Sequence, residues 1–317
     1  MPGNLLSHRP LNFIKNWRVS VAIVISFINL KGGVGKTTTA VAVAEMLSGV
    51  FDRKVLVIDL DPQTNATLML IGEEKWEYLN DNHHTIAQLF LDAVYPNSSN
   101  FDVEKTLQFQ VSNVKDLTNL DLLPSSLDLI NVQDRLATIS SGRFYAASPI
   151  NILRRGIKSI LDRYDYVLID CPPNLGIVTL NGLRISHGYI IPTIPDILST
   201  YGIPQITKTL SDFSETIAET IHPLGIVISQ YHAGMSLHNR VIKDLRRYSK
   251  DARVFETEIP HKQQIAEAVE FDHPNKFTTL RQKWGYGGQF EKYLNLTKEI
   301  RIAASQVLNS KDNPMIT

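Results

Sequence analysis

The run Val21-Ala-Ile-Val-Ile-Ser-Phe-Ile-Asn-Leu30, then Lys31-Gly32-Gly33-Val34-Gly35-Lys36-Thr37-Thr38, then Ala40-Val-Ala-Val-Ala-Glu-Met-Leu47 decides the fold. An apolar strand feeds a helix through a glycine-rich loop. That order points several backbone N–H groups and a helix N-terminus at one spot, which suits an anion such as a nucleotide phosphate. Gly32, Gly33 and Gly35 permit torsions and close approach that a side chain would block. Lys36 is then placed to reach the outer phosphates, and the Thr37 hydroxyl to enter a Mg²⁺ shell.

Two further apolar runs end in carboxylates. Lys54-Val-Leu-Val-Ile-Asp-Leu-Asp61 and Tyr166-Val-Leu-Ile-Asp-Cys-Pro-Pro173 do not alternate, so each reads as a strand buried on both faces of a parallel sheet. Carboxylates at the carboxyl ends of such strands lie where open α/β sheets bind ligands. Pro172 and Pro173 stop the second strand, and Leu175-Gly176 leaves the next segment free to move. Shorter apolar runs at Leu120-Asp-Leu-Leu123, Gly188-Tyr-Ile-Ile-Pro192 and Leu224-Gly-Ile-Val-Ile-Ser229 supply further strands. Ser125 or Ser126 is a candidate helix cap. A helix is expected over 151–164, and another over 290–311. Residues 72–118 read as polar and irregular, with one helical stretch over 85–93.

The chain has 317 residues, 43% hydrophobic and 20% charged, enough for one large core. Lys plus Arg equals Asp plus Glu at 32 each, so nucleic-acid binding would need a local patch. The single cysteine, Cys171, excludes an internal disulfide and a CxxC metal pair, and makes a reducing compartment the default. Lys15 and Arg18 ahead of the apolar run superficially suggest a signal sequence, but the run is too short to span a bilayer and shows no cleavage site. Residues 1–20 are expected to form an arm containing a short amphipathic piece, Leu11–Trp17, followed by one domain over 21–311 and a tail over 312–317.

The KGGVGKTT box, with Lys31 where the usual Walker pattern is variable, resembles the deviant Walker A box of the ParA/MinD family of positioning ATPases. The resemblance extends to Asp59-Leu-Asp-Pro-Gln-Thr-Asn-Ala-Thr67, similar to a ParA-type switch region, to the Pro124-Ser125 that ends a strand, and to the Walker B arrangement at Asp170. It implies a three-layer α/β P-loop NTPase fold, with a mostly parallel twisted sheet between helices. It implies ATP and Mg²⁺ as cofactors. Lys31 would reach a partner's phosphates across a homodimer, Lys36 would bind the chain's own nucleotide, and Asp61 would orient the attacking water. Thr37, Asp59 and Asp170 would serve the metal; Gly32, Gly33, Val34, Gly35 and Thr38 would cradle phosphate. Gln230 and Pro260 are candidates for the base pocket.

Residues 239–251 project as a helix with Val241, Ile242, Leu245 and Tyr248 on one side and Arg240, Lys243, Arg246, Arg247 and Lys250 on the other. Such a stripe could pair with DNA phosphates, with Lys262 extending it; a solvated helix surface is the alternative. Ile259-Pro-His-Lys-Gln-Gln-Ile-Ala-Glu-Ala268 resembles a family run in which relatives carry arginines, and has His261 and Gln264 instead. The resemblance implies a slow, adaptor-stimulated ATPase (ParB-like or McdB-like adaptor) that distributes a plasmid, a chromosome or a protein body such as a carboxysome over the nucleoid, in the cytoplasm. The alternatives are a MinD-like membrane regulator, which the tail disfavours, and a P-loop amidoligase of the cobyrinic acid or dethiobiotin type.

Overall fold

A computed structural model of the protein describes residues 22–95, 98–139, 149–249 and 252–308. The Leu11–Trp17 piece, the tail and Lys250 lie outside the described residues.

Seven strands form one sheet: β1 (Ile23–Phe27), β2 (Val55–Asp59), β3 (Leu120–Leu123), β4 (Tyr166–Asp170), β5 (Gly188–Thr193), β6 (His222–Tyr231) and β7 (Val254–Pro260). Their order is β3-β2-β4-β1-β5-β6-β7, and every pairing is parallel. The expected α/β architecture is present, and the sheet is wholly parallel.

The apolar runs lack alternation because both faces are covered. Along β2, Val55 and Val57 enter one core cluster while Leu56 and Ile58 enter the other; along β4, Tyr166 and Leu168 oppose Val167 and Ile169 in the same way. The first face is covered by the helix Lys36–Gly49 and the C-terminal helix Gln289–Leu308, which buries Tyr293, Leu296, Ile300 and Ala304. A buried carboxylate ties the first of these helices to the segment that leads into the second. Glu45 accepts hydrogen bonds from Lys283 Nζ and Trp284 Nε1, each at 2.7 Å, and from Ser112 Oγ at 2.6 Å. Removing one partner of so buried an ion pair typically costs about 3–5 kcal/mol.

The sheet order reverses at β1: the chain runs from β1 through β2 to β3 at one edge, returns through β4, and runs from β5 through β6 to β7 at the other. A crevice opens at such a switch point, beyond the carboxyl ends of the strands. The glycine loop leaves β1 there.

Several local expectations need correction. Residues 72–118 hold helices at Glu73–Asp81, Ile86–Val94 and Val103–Thr106, not one. The helix expected over 151–164 is broken into Ile152–Ile157 and a 3₁₀ turn at Leu161–Arg163, flanked by Pro149–Asn151. Strand β7 carries no plain signal in the sequence, because Glu256 and Glu258 interrupt its apolar residues. As an edge strand it needs only one covered face, and its exposure alternates accordingly.

Candidate functional site

Between β1 and its helix the loop turns through two left-handed glycines, Gly33 at φ 72° and Gly35 at φ 77°. Val34 is buried and its carbonyl accepts from Ser229 Oγ at 2.7 Å; the Gly33 carbonyl accepts from Gln230 Nε2 at 2.6 Å. The end of β6 therefore braces the loop's carbonyls from behind. Lys36, only 6% exposed, folds back so that Nζ donates to the Lys31 carbonyl at 3.3 Å. Gln230 itself holds φ 50°, a conformation an ordinary side chain adopts at some cost, and it borders the cleft.

Register places the carboxylates. Asp59 of β2 and Asp170 of β4 are paired positions on adjacent parallel strands, and both are fully buried. Burial pushes the Asp59 carboxyl up to about 7, against the hydrogen bonds it accepts from Thr67, and burial together with the Asp59 charge raises Asp170 well above the usual carboxylate range. Asp59 accepts from Thr67 N–H at 2.9 Å, Thr67 Oγ1 at 2.7 Å and Asp61 N–H at 3.0 Å. Asp170 Oδ2 accepts from the Thr37 hydroxyl at 2.7 Å. Asp61 lines the cleft, with its carbonyl held by Ser125 Oγ at 2.7 Å and its carboxylate accepting from Gln63 N–H at 2.9 Å. Ser125 thus braces this turn, a role its expected place as a helix cap did not include.

Two cavities share Gly35, Thr38, Gln230 and Val269 as a common wall. The first, about 440 Å³, is lined by the loop, Lys36, Thr37, Asp61 and Pro173. The second, about 240 Å³, is mainly apolar, with Ile259, Pro260, Ile265 and Val269. Gln230 and Pro260 both meet it, as does Lys262. Sequence reasoning missed Gln63, Asn65 and Met69 in the first cavity and Ile265 and Tyr293 in the second. Asn65 was legible inside the DLDPQTNAT run; Tyr293 carried no local signal.

Lys31 bonds within its own chain: Nζ contacts Asp196 Oδ2, whose carboxylate also caps the helix Ile197–Ile217 through Ser199 N–H at 2.9 Å.

The basic helix runs from Ser236 to Tyr248 and buries Val241, Ile242 and Leu245 as expected. Tyr248 does not join them: it is 63% exposed, and the Arg247 guanidinium lies 5.3 Å from its ring centre. Arg246 is engaged by Glu258 at 3.2 Å and Glu256 at 3.5 Å. Arg240, Lys243 and Arg247 remain on the exposed face.

An AAA-domain family model matches residues 22–222, from the start of the sheet into β6. The chain belongs to this family, among its ParA/MinD ATPases. The sporulation initiation inhibitor protein Soj of Bacillus subtilis is 28% identical over 277 residues, covering 87% of the chain and 97% of Soj. The chromosome partitioning protein ParA of Myxococcus xanthus is 27% identical over 286 residues, 90% of each chain. Among solved structures, cobyrinic acid a,c-diamide synthase from Mycobacterium smegmatis, with bound ATP analogue and magnesium, superposes with a TM-score of 0.69 at 24% identity, covering 94% of the chain and all of the synthase. A plasmid partition protein from Borrelia burgdorferi bound to AMPPNP superposes with a TM-score of 0.63 at 23% identity, covering 89% and 98%. These two likenesses are of fold.

In this ParA/MinD chain the carboxylates suit a hard cation. Asp170 Oδ1 is buried without a hydrogen-bond partner among the described residues, a poor state for an anionic oxygen unless a ligand completes it. With the Thr37 hydroxyl beside Asp170, the donors are all oxygen and few. Mg²⁺ characteristically takes one or two carboxylates, waters and substrate phosphates.

Proposed function

We propose that this chain is a Mg²⁺-dependent ATPase of the ParA type that closes with ATP into a dimer, binds DNA non-specifically in that state and is released after hydrolysis. One observation carries the dimer. The carboxyl ends of β1, β3 and β5 all point to the edge where the cleft opens, and the segments that follow expose Leu30, Leu127, Ile130, Ile197, Leu198 and Tyr201. Large apolar side chains exposed on the side of the sheet where the cleft opens support a surface that another protein covers.

In this reading Lys36 and the loop N–H groups bind the outer phosphates, and Thr37 and Asp170 hold Mg²⁺, with Asp59 behind them. The ion would offset the charge that gathers between the outer phosphates. Asp61 orients the attacking water. Lys31 leaves Asp196 and reaches the partner's phosphates as the dimer closes, which couples assembly to nucleotide. No sequence preference is expected from the basic helix, because phosphate contacts position without reading bases. A small ParB-like or McdB-like adaptor would complete the switches, and the cycle would distribute a plasmid, a chromosome or a protein body over the nucleoid in the cytoplasm. No helix of the described residues is long and apolar enough to cross a membrane.

The test is DNA binding with and without ATP. Alanine at Arg240, Lys243 and Arg247 together should lower the salt slope by about 3, roughly one unit for each phosphate left without its cation. An unchanged slope moves the DNA face elsewhere. A second reading, a P-loop enzyme that activates a small carboxylate, is favoured by the likeness in fold to the diamide synthase. It predicts ATP turnover independent of DNA and of protein partners.

A further inference from the structure

The turn that carries Asp61 needs support from beyond its own residues. It closes with Thr64 N–H donating to the Asp61 carbonyl at 2.9 Å, and Thr64 holds φ 57°, a left-handed conformation that a β-branched side chain adopts at a cost. The Gln63 N–H on the Asp61 carboxylate is equally local. What fixes the turn against the rest of the molecule comes from two other places, the end of β2 and the segment after β3.

The second of these is Ser125, fully buried and outside the wall of the first cavity, which Asp61 lines. Its hydroxyl donates to the Asp61 carbonyl at 2.7 Å, and its N–H donates to Thr67 Oγ1 at 2.9 Å. Thr67 Oγ1 in turn donates to Asp59 Oδ2 at 2.7 Å, and Asp59 Oδ1 accepts from Asp61 N–H at 3.0 Å. The bonds close a circuit, from Ser125 through Thr67, Asp59 and Asp61 back to Ser125. Members of such a network polarise and strengthen one another. Helix Glu73–Asp81 anchors the circuit from outside: Trp76 Nε1 donates to the Ser125 carbonyl at 3.1 Å, and Ser126 Oγ donates to Asn80 Oδ1 at 2.7 Å. The phosphate loop has separate braces in Ser229 and Gln230.

We propose that Ser125 is a positioning residue for hydrolysis: its hydroxyl sets the place of the Asp61 turn, from which the carboxylate orients the attacking water. This rests on the role given to Asp61 in the nucleotide reading. Ser125 acts through Asp61 and not on the nucleotide, so it governs turnover and leaves affinity to the glycine loop. Misplacing a reacting group by about 1 Å can cost about 100-fold in rate.

The test compares kcat, from phosphate release with Mg·ATP, with the Kd for ATP, both on the full chain. Ser125→Ala should lower kcat about 10- to 100-fold, keep Kd within about 2-fold and lower the melting temperature by no more than about 4 °C. Ser125→Thr keeps the hydroxyl and should return kcat to near the unaltered value. Trp76→Phe keeps an aromatic ring, drops the bond to the Ser125 carbonyl and should lower kcat about 2- to 5-fold at unchanged Kd. Unchanged kcat in Ser125→Ala overturns the proposal. So does a loss of ATP affinity equal to the loss of kcat, which marks a structural effect on the whole cleft, or a Ser125→Thr protein no faster than Ser125→Ala. If Ser125→Ala melts too low to assay, Trp76→Phe decides, and a kcat equal to that of the unaltered chain overturns the proposal. An unaltered chain that binds Mg·ATP without hydrolysing it removes the reaction Ser125 would serve; one that does not bind Mg·ATP removes the nucleotide reading as well.

Discussion

The two ends of the cleft are built by opposite means. The phosphate end is polar and assembled from near neighbours: six of the eight residues Lys31 to Thr38, and two aspartates set level by strand register. The other end, the second cavity, is mainly apolar and assembled from the ends of β6 and β7, a short following helix and a residue on the last helix. At one end charge does the binding and the fold tolerates a cost for holding it. At the other the walls are mainly apolar and no buried carboxylate is held.

If that contrast is right, the largest effect belongs to Lys36. Lys36→Ala should reduce both ATP and tripolyphosphate affinity by about 100-fold, the scale of about 3 kcal/mol for charge-assisted hydrogen bonds, measured by calorimetry. A loss confined to ATP would break the comparison. Asp170→Asn sharpens it. Removing an acid whose Oδ1 is buried without a partner and whose ionisation burial opposes should raise the melting temperature of the nucleotide-free protein at pH 8 by about 2–4 °C, equivalent to about 1 kcal/mol, while the Mg²⁺ requirement for nucleotide binding rises severalfold. Equal destabilisation with and without Mg²⁺ would show that the carboxylate is structural.

The pH dependence follows from the same two carboxylates. Both are raised in the folded state, so between about 4 and about 7 the folded chain holds protons that the unfolded chain has released. Stability of the nucleotide-free protein should therefore fall as pH rises through that window, and Mg·ATP should remove much of the fall. Thermal melts at pH 5, 6, 7 and 8 read this directly, and a flat or rising curve contradicts the buried-pair account.

The smallest effect is at Asp196. Its ion pair with Lys31 is partly exposed, and such pairs contribute about 0–1 kcal/mol. Asp196→Asn should leave ATP affinity within about 2-fold and favour the ATP dimer by no more than about 5-fold. A larger shift would give the Lys31–Asp196 pair more weight than solvent screening allows.

How much of this the sequence carried follows from the contrast. The strand, loop and helix around Lys36 were legible because phosphate binding needs glycines, a lysine and a threonine at fixed local spacing. Asp59 and Asp170 were legible as carboxylates at strand ends, but their level placement was not, since it is set by the register of β2 on β4. Strand β7 escaped because an edge strand exposes one face and admits Glu256 and Glu258. Tyr293 escaped for a different reason. A tyrosine on an amphipathic helix reads as core, and only the packing of the last helix beside β6 and β7 shows that it lines a cavity. The opposed carboxylates that engage Arg246 were equally out of reach, since they come from β7, whose broken apolar pattern hides the strand.

The dimer is tested most directly by the mass of Asp61→Ala in sedimentation with Mg·ATP. With hydrolysis blocked and the loop intact, the protein should sediment at twice the 35.7 kDa chain mass and return to a single chain when ATP is replaced by ADP. A protein that binds ATP and stays a single chain would contradict closure upon the nucleotide, and with it the coupling assigned to Lys31.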